Sequence, residues 1–330
     1  MIKLQCLPSV AVWSLFLTAA LPAVGITIQP GVQVGTLSQL AEVSGLVASR
    51  SLPGTLWVHN DSGDSARFFG ISTAGNVLET ISLTGATATD WEDIAIGPKS
   101  GGGNYVYLGD IGDNSANRIF GINIYRVVEP LVAGNAAIAA ADYTKVTLVY
   151  QGLIPKNAES LMVDPLTNDI FVITKASTGQ VYRAPSTIFN TPGTTATLAL
   201  MGNLNVTLPN PTAADISPDG LHILIRNTST TAYLFERGAA QSVWNALQGV
   251  GIPVTLKPEA QGEAIGWAAD GSGFYTTSEW NGAGARPVWY YAFSVPEPAS
   301  GQILLCGLLP LIVGKLWRGR RYTAAAKVDI

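Results

Sequence analysis

The sequence is poor in the residues that carry most enzyme chemistry. Its 330 residues include two cysteines, two histidines and three methionines. Both cysteines, Cys6 and Cys306, fall near the ends, so the stretch between them has neither a disulfide nor a thiol nucleophile. A body of about 270 residues can bury a sufficient core without either. Charge is also scarce, at 13% against about 25% for an average soluble chain. That excludes a disordered chain, a coiled coil and a solvated helical rod, all of which need charge. Basic residues number 19 against 23 acidic ones, so there is no electrostatic footprint for nucleic acid. No Gly-x-Ser-x-Gly elbow, His-Glu-x-x-His helix or phosphate-cradling glycine loop occurs. Helical periodicity is confined to residues 241–247, with 133–141 readable as a second helix or a loose loop.

What is present is a hydrophobic fraction of 47%, part of it concentrated at the two ends. Residues 1–25 have the plan of a secretory signal peptide: Lys3, an apolar run over 10–21, and Ala23-Val24-Gly25 for cleavage after Gly25. The run is short for an uncleaved span of roughly 20 residues. At the other end, Val295-Pro296-Glu297-Pro298-Ala299-Ser300 precedes an apolar stretch over 303–313, then Arg318-Gly319-Arg320-Arg321. This tripartite end, residues 296–330, resembles the PEP-CTERM sorting domain of Gram-negative bacteria. The resemblance implies processing by signal peptidase and by an exosortase that reads Pro296, Glu297 and Pro298. It also implies a transient membrane span held by the positive-inside rule and delivery to the envelope, outer surface or matrix. The extension over 322–330 departs from the family, whose tags stop soon after the arginines. A membrane anchor without sorting is the alternative.

The end segments hold six of the basic residues and two of the acidic ones, leaving 13 and 21 in the body 26–295, a net charge of −8. Short alternating or apolar runs over 55–59, 105–108, 170–174, 222–225 and 273–277 are bounded by Gly, Pro, Asn and Asp, as β-strands are. Five segments share one plan. They are Val43-Ser44-Gly45-Leu46-Val47, Trp91-Glu92-Asp93-Ile94-Ala95, Ala158-Glu159-Ser160-Leu161-Met162, Ala213-Ala214-Asp215-Ile216-Ser217 and Gly262-Glu263-Ala264-Ile265-Gly266. Aligned on Ser44, Glu92, Glu159, Ala214 and Glu263, their spacings are 48, 67, 55 and 49. Four strands repeated at roughly 40–50 residues is the pattern of a β-propeller. The expected fold is therefore all-β: five four-stranded blades, closed by an N-terminal strand within 26–37, plus terminal hydrophobic helices. Six blades fit if the 67-residue interval hides a degenerate unit, and a β-sandwich pair is the remaining alternative.

In such a ring, starts of first strands and ends of second strands meet at one mouth. The starts supply Ser44, Glu92, Asp93, Glu159, Asp215 and Glu263, with Glu42 and Asp90 just outside. The ends supply His59, Asn60, Asp61, Asp110, Lys175, Arg226 and Glu279, and Asp64, Asp113 and Asn114 follow in loops. Crowded carboxylates need a cation, pairing with Lys175 and Arg226, or shared protons. Hard oxygen donors suit Ca²⁺, for which Glu92, Glu159, Glu263 and Asp110 are the candidate ligands, although no loop has EF-hand spacing. Asp61, Asp110, Lys175, Asp215, Arg226 and Glu279 are candidates for binding a ligand such as a polysaccharide or small molecule. His59 is the candidate imidazole base, beside Glu92, Glu159 and Glu263, if the mouth is instead that of a metal-dependent hydrolase. The body is similar in architecture to exported phytase-like and lactonase-like propellers, which does not fix function. Trp57, Trp91, Trp267, Trp289, Tyr105 and Tyr107 alternate within strands and are expected in the core. Trp280, after a strand end, is a candidate sugar-stacking residue.

Overall fold

A computed structural model describes residues 25–131, 133–279 and 286–295. Most of the described chain is one compact unit, Ile28–Ser294. It is all-β, with a single short α-helix, Val243–Leu247, capped by Ser242, whose hydroxyl accepts from the Asn245 amide at 3.1 Å. Residues 133–141 contain a strand, Ala136–Ile138, rather than a helix. Its pairing with Ile81–Leu83 satisfies backbone groups that a short Ala-rich helix would have left in water.

Five antiparallel meanders of four strands follow one another. Sheet 1 comprises Val43–Ala48, Thr55–Asn60, Arg67–Ser72 and Val77–Leu83, with Ala136–Ile138 added in parallel. Sheet 2 comprises Trp91–Pro98, Asn104–Asp110, Ile122–Val128 and Tyr143–Tyr150. Sheet 3 comprises Ala158–Val163, Ile170–Thr174, Gln180–Ala184 and Thr195–Asn203. Sheet 4 comprises Pro211–Ile216, His222–Asn227, Thr231–Glu236 and Ile252–Thr255. Sheet 5 takes Gln261–Trp267, Gly273–Glu279 and Arg286–Ser294 from the end of the chain and its fourth strand, Val32–Leu37, from the beginning. Parallel pairing of Thr147–Tyr150 with Thr195–Leu198 joins sheets 2 and 3 into an eight-stranded path. The two end strands of that path, Trp91–Pro98 and Ala158–Val163, lie against each other and nearly close it.

The first strand of each sheet packs on the first strand of the next, and Gln261–Trp267 packs back on Val43–Ala48. These five strands are almost wholly buried and rich in Gly, Ala and Ser. The crowding explains the small residues: a Cβ on Gly45 would stand 2.7 Å from the Ile94 amide and 2.7 Å from His59 Nε2. Successive sheets bury separate apolar layers. Trp57 and Phe68 of sheet 1 meet Ile94 and Tyr125 of sheet 2, and Tyr107 and Leu148 of sheet 2 meet Leu161 and Tyr182 of sheet 3. Phe171 and Ile173 of sheet 3 meet Ile223 and Phe235 of sheet 4, and Leu37 and Val288 of sheet 5 meet Leu56 and Val58 of sheet 1. Between sheets 4 and 5 the layer is aromatic: His222 and Trp267 both pack on Phe293.

Trp57, Trp91, Trp267 and Tyr107 lie in this core. Trp280, the signal segment, the Pro296-Glu297-Pro298 motif and both terminal hydrophobic stretches lie outside the described residues. Among the described residues no helix is long and apolar enough to cross a membrane.

Candidate functional site

Each pairing between a first and a second strand slips register at its start. The slips fall at Ser44, Glu92, Glu159, Thr212 and Glu263. A bulge re-aims one side chain out of the ladder, and here it does so five times at the same end of the ring. All five bulged residues are polar. The fourth is Thr212, not Ala214, so the spacings between bulges are 48, 67, 53 and 51. A slide of two residues keeps the in–out alternation of a strand, which is why the sequence pattern alone favoured Ala214. Ser44 and Thr212 use their hydroxyls to tie neighbouring sheets, donating to the Glu92 carbonyl at 2.7 Å and the Gly262 carbonyl at 2.8 Å.

The three glutamates face one another's fields. Asp61, Asp90 and Glu92 each offer a carboxylate oxygen, and these oxygens lie within 4.8 Å of one another. Gly112 makes room for the group, since a Cβ there would collide with Glu92 Oε1 and with the Asp90 carboxylate. Burial, then the charges of Glu159, Asp61, Asp90 and Glu263, pushes Glu92 far above the usual carboxylate range. Burial, then Asp61, raises Asp90. Burial, then Glu159, pushes Glu263 up to about 8. Burial, then Asp61, raises Glu279, which also lies in hydrogen-bonding reach of Asp61 and accepts from Gln261 Nε2. Glu263 is 3% exposed and its Oε2 has no hydrogen-bond partner among the described residues. Lys175 pairs directly with this group, its Nζ standing 2.6 Å from Glu159 Oε2, while Arg118 and Arg226 act on Asp90 and Glu263 through their charges. Burial would lower Lys175, but Glu159 beside it reverses the sign and raises it. Glu159 itself stays raised by burial despite Lys175.

Other sequence candidates stand apart from this cluster. Asp110, fully buried, accepts from Arg118 Nη1 at 3.0 Å, from Asn123 Nδ2 at 3.1 Å and from the Asp90 amide at 3.0 Å, so it braces the mouth loop. Arg226 pairs with the buried Glu259 at 2.6 Å and donates to the Ala264 carbonyl at 3.0 Å. Asp215 caps the amides of Ile216 and Trp267, each at 2.8 Å. Burial raises it to about 6, and its opposing charge is Arg50 rather than the mouth acids. Asp93 is buried at the centre, accepting from the Leu161 amide at 2.8 Å. His59 is fully buried between sheets 1 and 2, edge-on to Trp91 at 5.8 Å, and burial lowers its pKa. It is therefore a neutral packing residue in this arrangement. Asp64 is tied to Arg67 at 2.8 Å and Asp113 caps the Asn117 and Arg118 amides at 2.9 Å.

Sequence reasoning missed Glu259 and Asn157. Asn157 links Asn114 and the Asp113 amide to Glu159, at 3.0, 2.7 and 3.5 Å. Neither residue carries a local signal, because each acts through a partner distant in the chain. No protein-family model matches the chain, and no curated protein matches it.

Proposed function

We propose that the chain is an exported five-bladed β-propeller that binds a divalent cation of the calcium class at its acidic mouth. The five meanders, the ring of first strands and the closing strand Val32–Leu37 support the propeller reading. Export, and release through an exosortase that reads Pro296-Glu297-Pro298, rests on the two end segments of the sequence.

One observation carries the cation reading: the Asp61–Asp90–Glu92 group, whose oxygens lie within 4.8 Å of one another. That spread fits inside a calcium shell, roughly 4.6–5.2 Å across for Ca–O bonds of about 2.3–2.6 Å. Glu159, Glu263 and Glu279 supply a wider acidic ring whose carboxyls stay raised despite Lys175 and Arg226. Burial and mutual repulsion raise Glu92, Glu263 and Glu279 and so favour their protonated forms; a bound cation takes the protons' place. The mouth can then use open coordination positions for a polysaccharide or small anionic ligand at the envelope or in the matrix.

The same cluster supports a second reading, metal-assisted hydrolysis of an ester, lactone or phosphoester, through one feature. Glu92 is a buried carboxyl held protonated beside carboxylates, the arrangement of a general acid. Calcium titration with calorimetric and thermal-shift readouts tests the binding reading. Saturable binding lost in Asp61→Asn and Glu92→Gln supports it, and no binding or stabilisation at millimolar Ca²⁺ overturns it. Metal-dependent turnover of ester or phosphate substrates, abolished by Glu92→Gln, would replace it with the hydrolase.

A further inference from the structure

The mouth face of the ring is divided by charge. The loops that join strand ends there carry Glu42, Asp61, Asp64 and Asp90 over sheets 5 and 1. Over sheets 2 and 3 the corresponding loops, 111–121, 151–157, 175–179 and 204–210, hold one acid, Asp113. It is buried, capping the Asn117 and Arg118 amides at 2.9 Å. The cations of these loops are Arg118, Lys156 and Lys175. Arg118 pairs with Asp110 and Lys175 with Glu159, while Lys156 is in no salt bridge among the described residues.

Large apolar side chains emerge on this same half. Among the described residues only two pairs of consecutive large apolar residues are exposed, Ile119-Phe120 and Leu153-Ile154, with Phe120 85% and Leu153 68% accessible. Hydrogen bonds join the loops that carry them. Asn157 accepts from the Asp113 amide at 2.7 Å and donates to Asn114 at 3.0 Å, tying loop 151–157 to loop 111–121. Gln151 accepts from the Leu200 amide at 2.9 Å, which brings a fifth exposed apolar residue to the same rim. Leu153 is held at φ 58°, in the left-handed region that bulky side chains avoid. A leucine kept there and left in water contributes nothing to the core, and such an outlier points to function.

Exposed apolar patches mark contacts with proteins or membranes. A stable protein interface uses roughly 20–30 residues a side, far more than this rim offers, which disfavours a second copy as its occupant. Apolar loop tips beside a free lysine, in loops without an accessible carboxylate, instead complement an anionic bilayer surface. The tips enter the boundary between headgroups and acyl chains, and the ammonium meets lipid phosphates. We propose that this rim docks the protein on an anionic membrane surface, with Ile119, Phe120, Leu153, Ile154 and Leu200 inserted and Lys156 at the headgroups. The docking is separate from the acidic cluster and does not depend on a cation there.

The test uses the full chain in EDTA with vesicles of phosphatidylcholine and phosphatidylglycerol whose acyl chains are brominated. The terminal apolar stretches of the sequence bind lipid on their own account, so the readout is placed on the rim. Phe120→Trp should show fluorescence quenching beyond that of the unsubstituted chain. That added quenching should fall at least threefold when Leu153→Asp or Lys156→Glu is combined with it, and stay unchanged with Asp61→Asn. Leu153→Asp suits the left-handed conformation, and Phe120 and Leu153 are exposed, so these variants keep the fold; circular dichroism checks this. No added quenching at position 120, or quenching that Leu153→Asp leaves intact, overturns the proposal. Equal quenching with phosphatidylcholine alone overturns the anionic assignment. A lipid-free dimer on gel filtration that Phe120→Asp dissociates makes a second copy the occupant and overturns the membrane reading.

Discussion

Raising the pH should destabilise the metal-free protein, the reverse of an ordinary acid-sensitive fold. The reason lies in Glu263. Its carboxyl is pushed from the ordinary 4.5 up to about 8, first by burial and then by Glu159. The folded state therefore holds this proton more tightly than the unfolded chain does. The associated stability is fully present below about pH 4.5 and is lost as pH rises through about 8. At about 1.4 kcal/mol per tenfold change, ionising this one buried group opposes folding by roughly 5 kcal/mol at most. Glu92, Asp90 and Glu279 are raised by the same causes and add with the same sign. A cation reverses the trend by replacing the protons, contributing about 2.7 kcal/mol at a hundred times its Kd. Buried His59, whose pKa is lowered from 6.5, contributes the opposite slope below about pH 6.5, so urea unfolding in EDTA and in Ca²⁺ from about pH 6.5 to about pH 8.5 measures both effects. The expected result is a falling EDTA curve that Ca²⁺ lifts at the alkaline end and that Glu263→Gln flattens. An EDTA curve that is flat or rises over this range, or a slope unchanged in Glu263→Gln, would falsify the electrostatic account of the mouth.

Three further outcomes follow from the packing. Arg237→Ala should lose about 3–5 kcal/mol in urea unfolding, because it strands the buried Asp164, whose two oxygens Arg237 grips at 2.7 and 3.0 Å. A loss below about 1 kcal/mol would mean the pair is not sealed from water. Gly112→Ala should weaken calcium binding by at least tenfold while leaving the circular dichroism spectrum unchanged, since its methyl displaces Glu92 and Asp90. Unchanged affinity would remove these two carboxylates from the site. A chain starting at residue 40 should unfold without cooperativity or oligomerise on gel filtration, because it loses Val32–Leu37 and exposes the edge of Arg286–Ser294. A monomeric, cooperatively folding truncation would show that closure does not hold the ring.

Much of this protein was legible along the chain. The run 170–174, read from local patterning, coincides with Ile170–Thr174, and the run 273–277 falls within Gly273–Glu279. The short helix and the closing N-terminal strand were also visible, because a strand left unpartnered at the end of the chain needs one from the beginning. The convergence of Glu92, Glu159 and Glu263 followed from their equal place in successive repeats. The sequence by itself thus determined the element type, the repeat and the scarcity of charge in the body, because these depend on local periodicity and composition.

Only the tertiary structure decided which charges are spent on the fold and which are left over. Asp110, Arg226 and Asp215 have the same residue types and strand-end positions as the mouth residues. Yet Asp110 and Arg226 are matched by Arg118 and Glu259, and Asp215 by the Ile216 and Trp267 amides, partners that no mouth position predicts. Among the described residues Asp61, Asp90 and Glu92 form no salt bridge, and their oxygens are left facing one another. Pairing between distant residues is set by three-dimensional distance and burial, and neither quantity is written in local sequence.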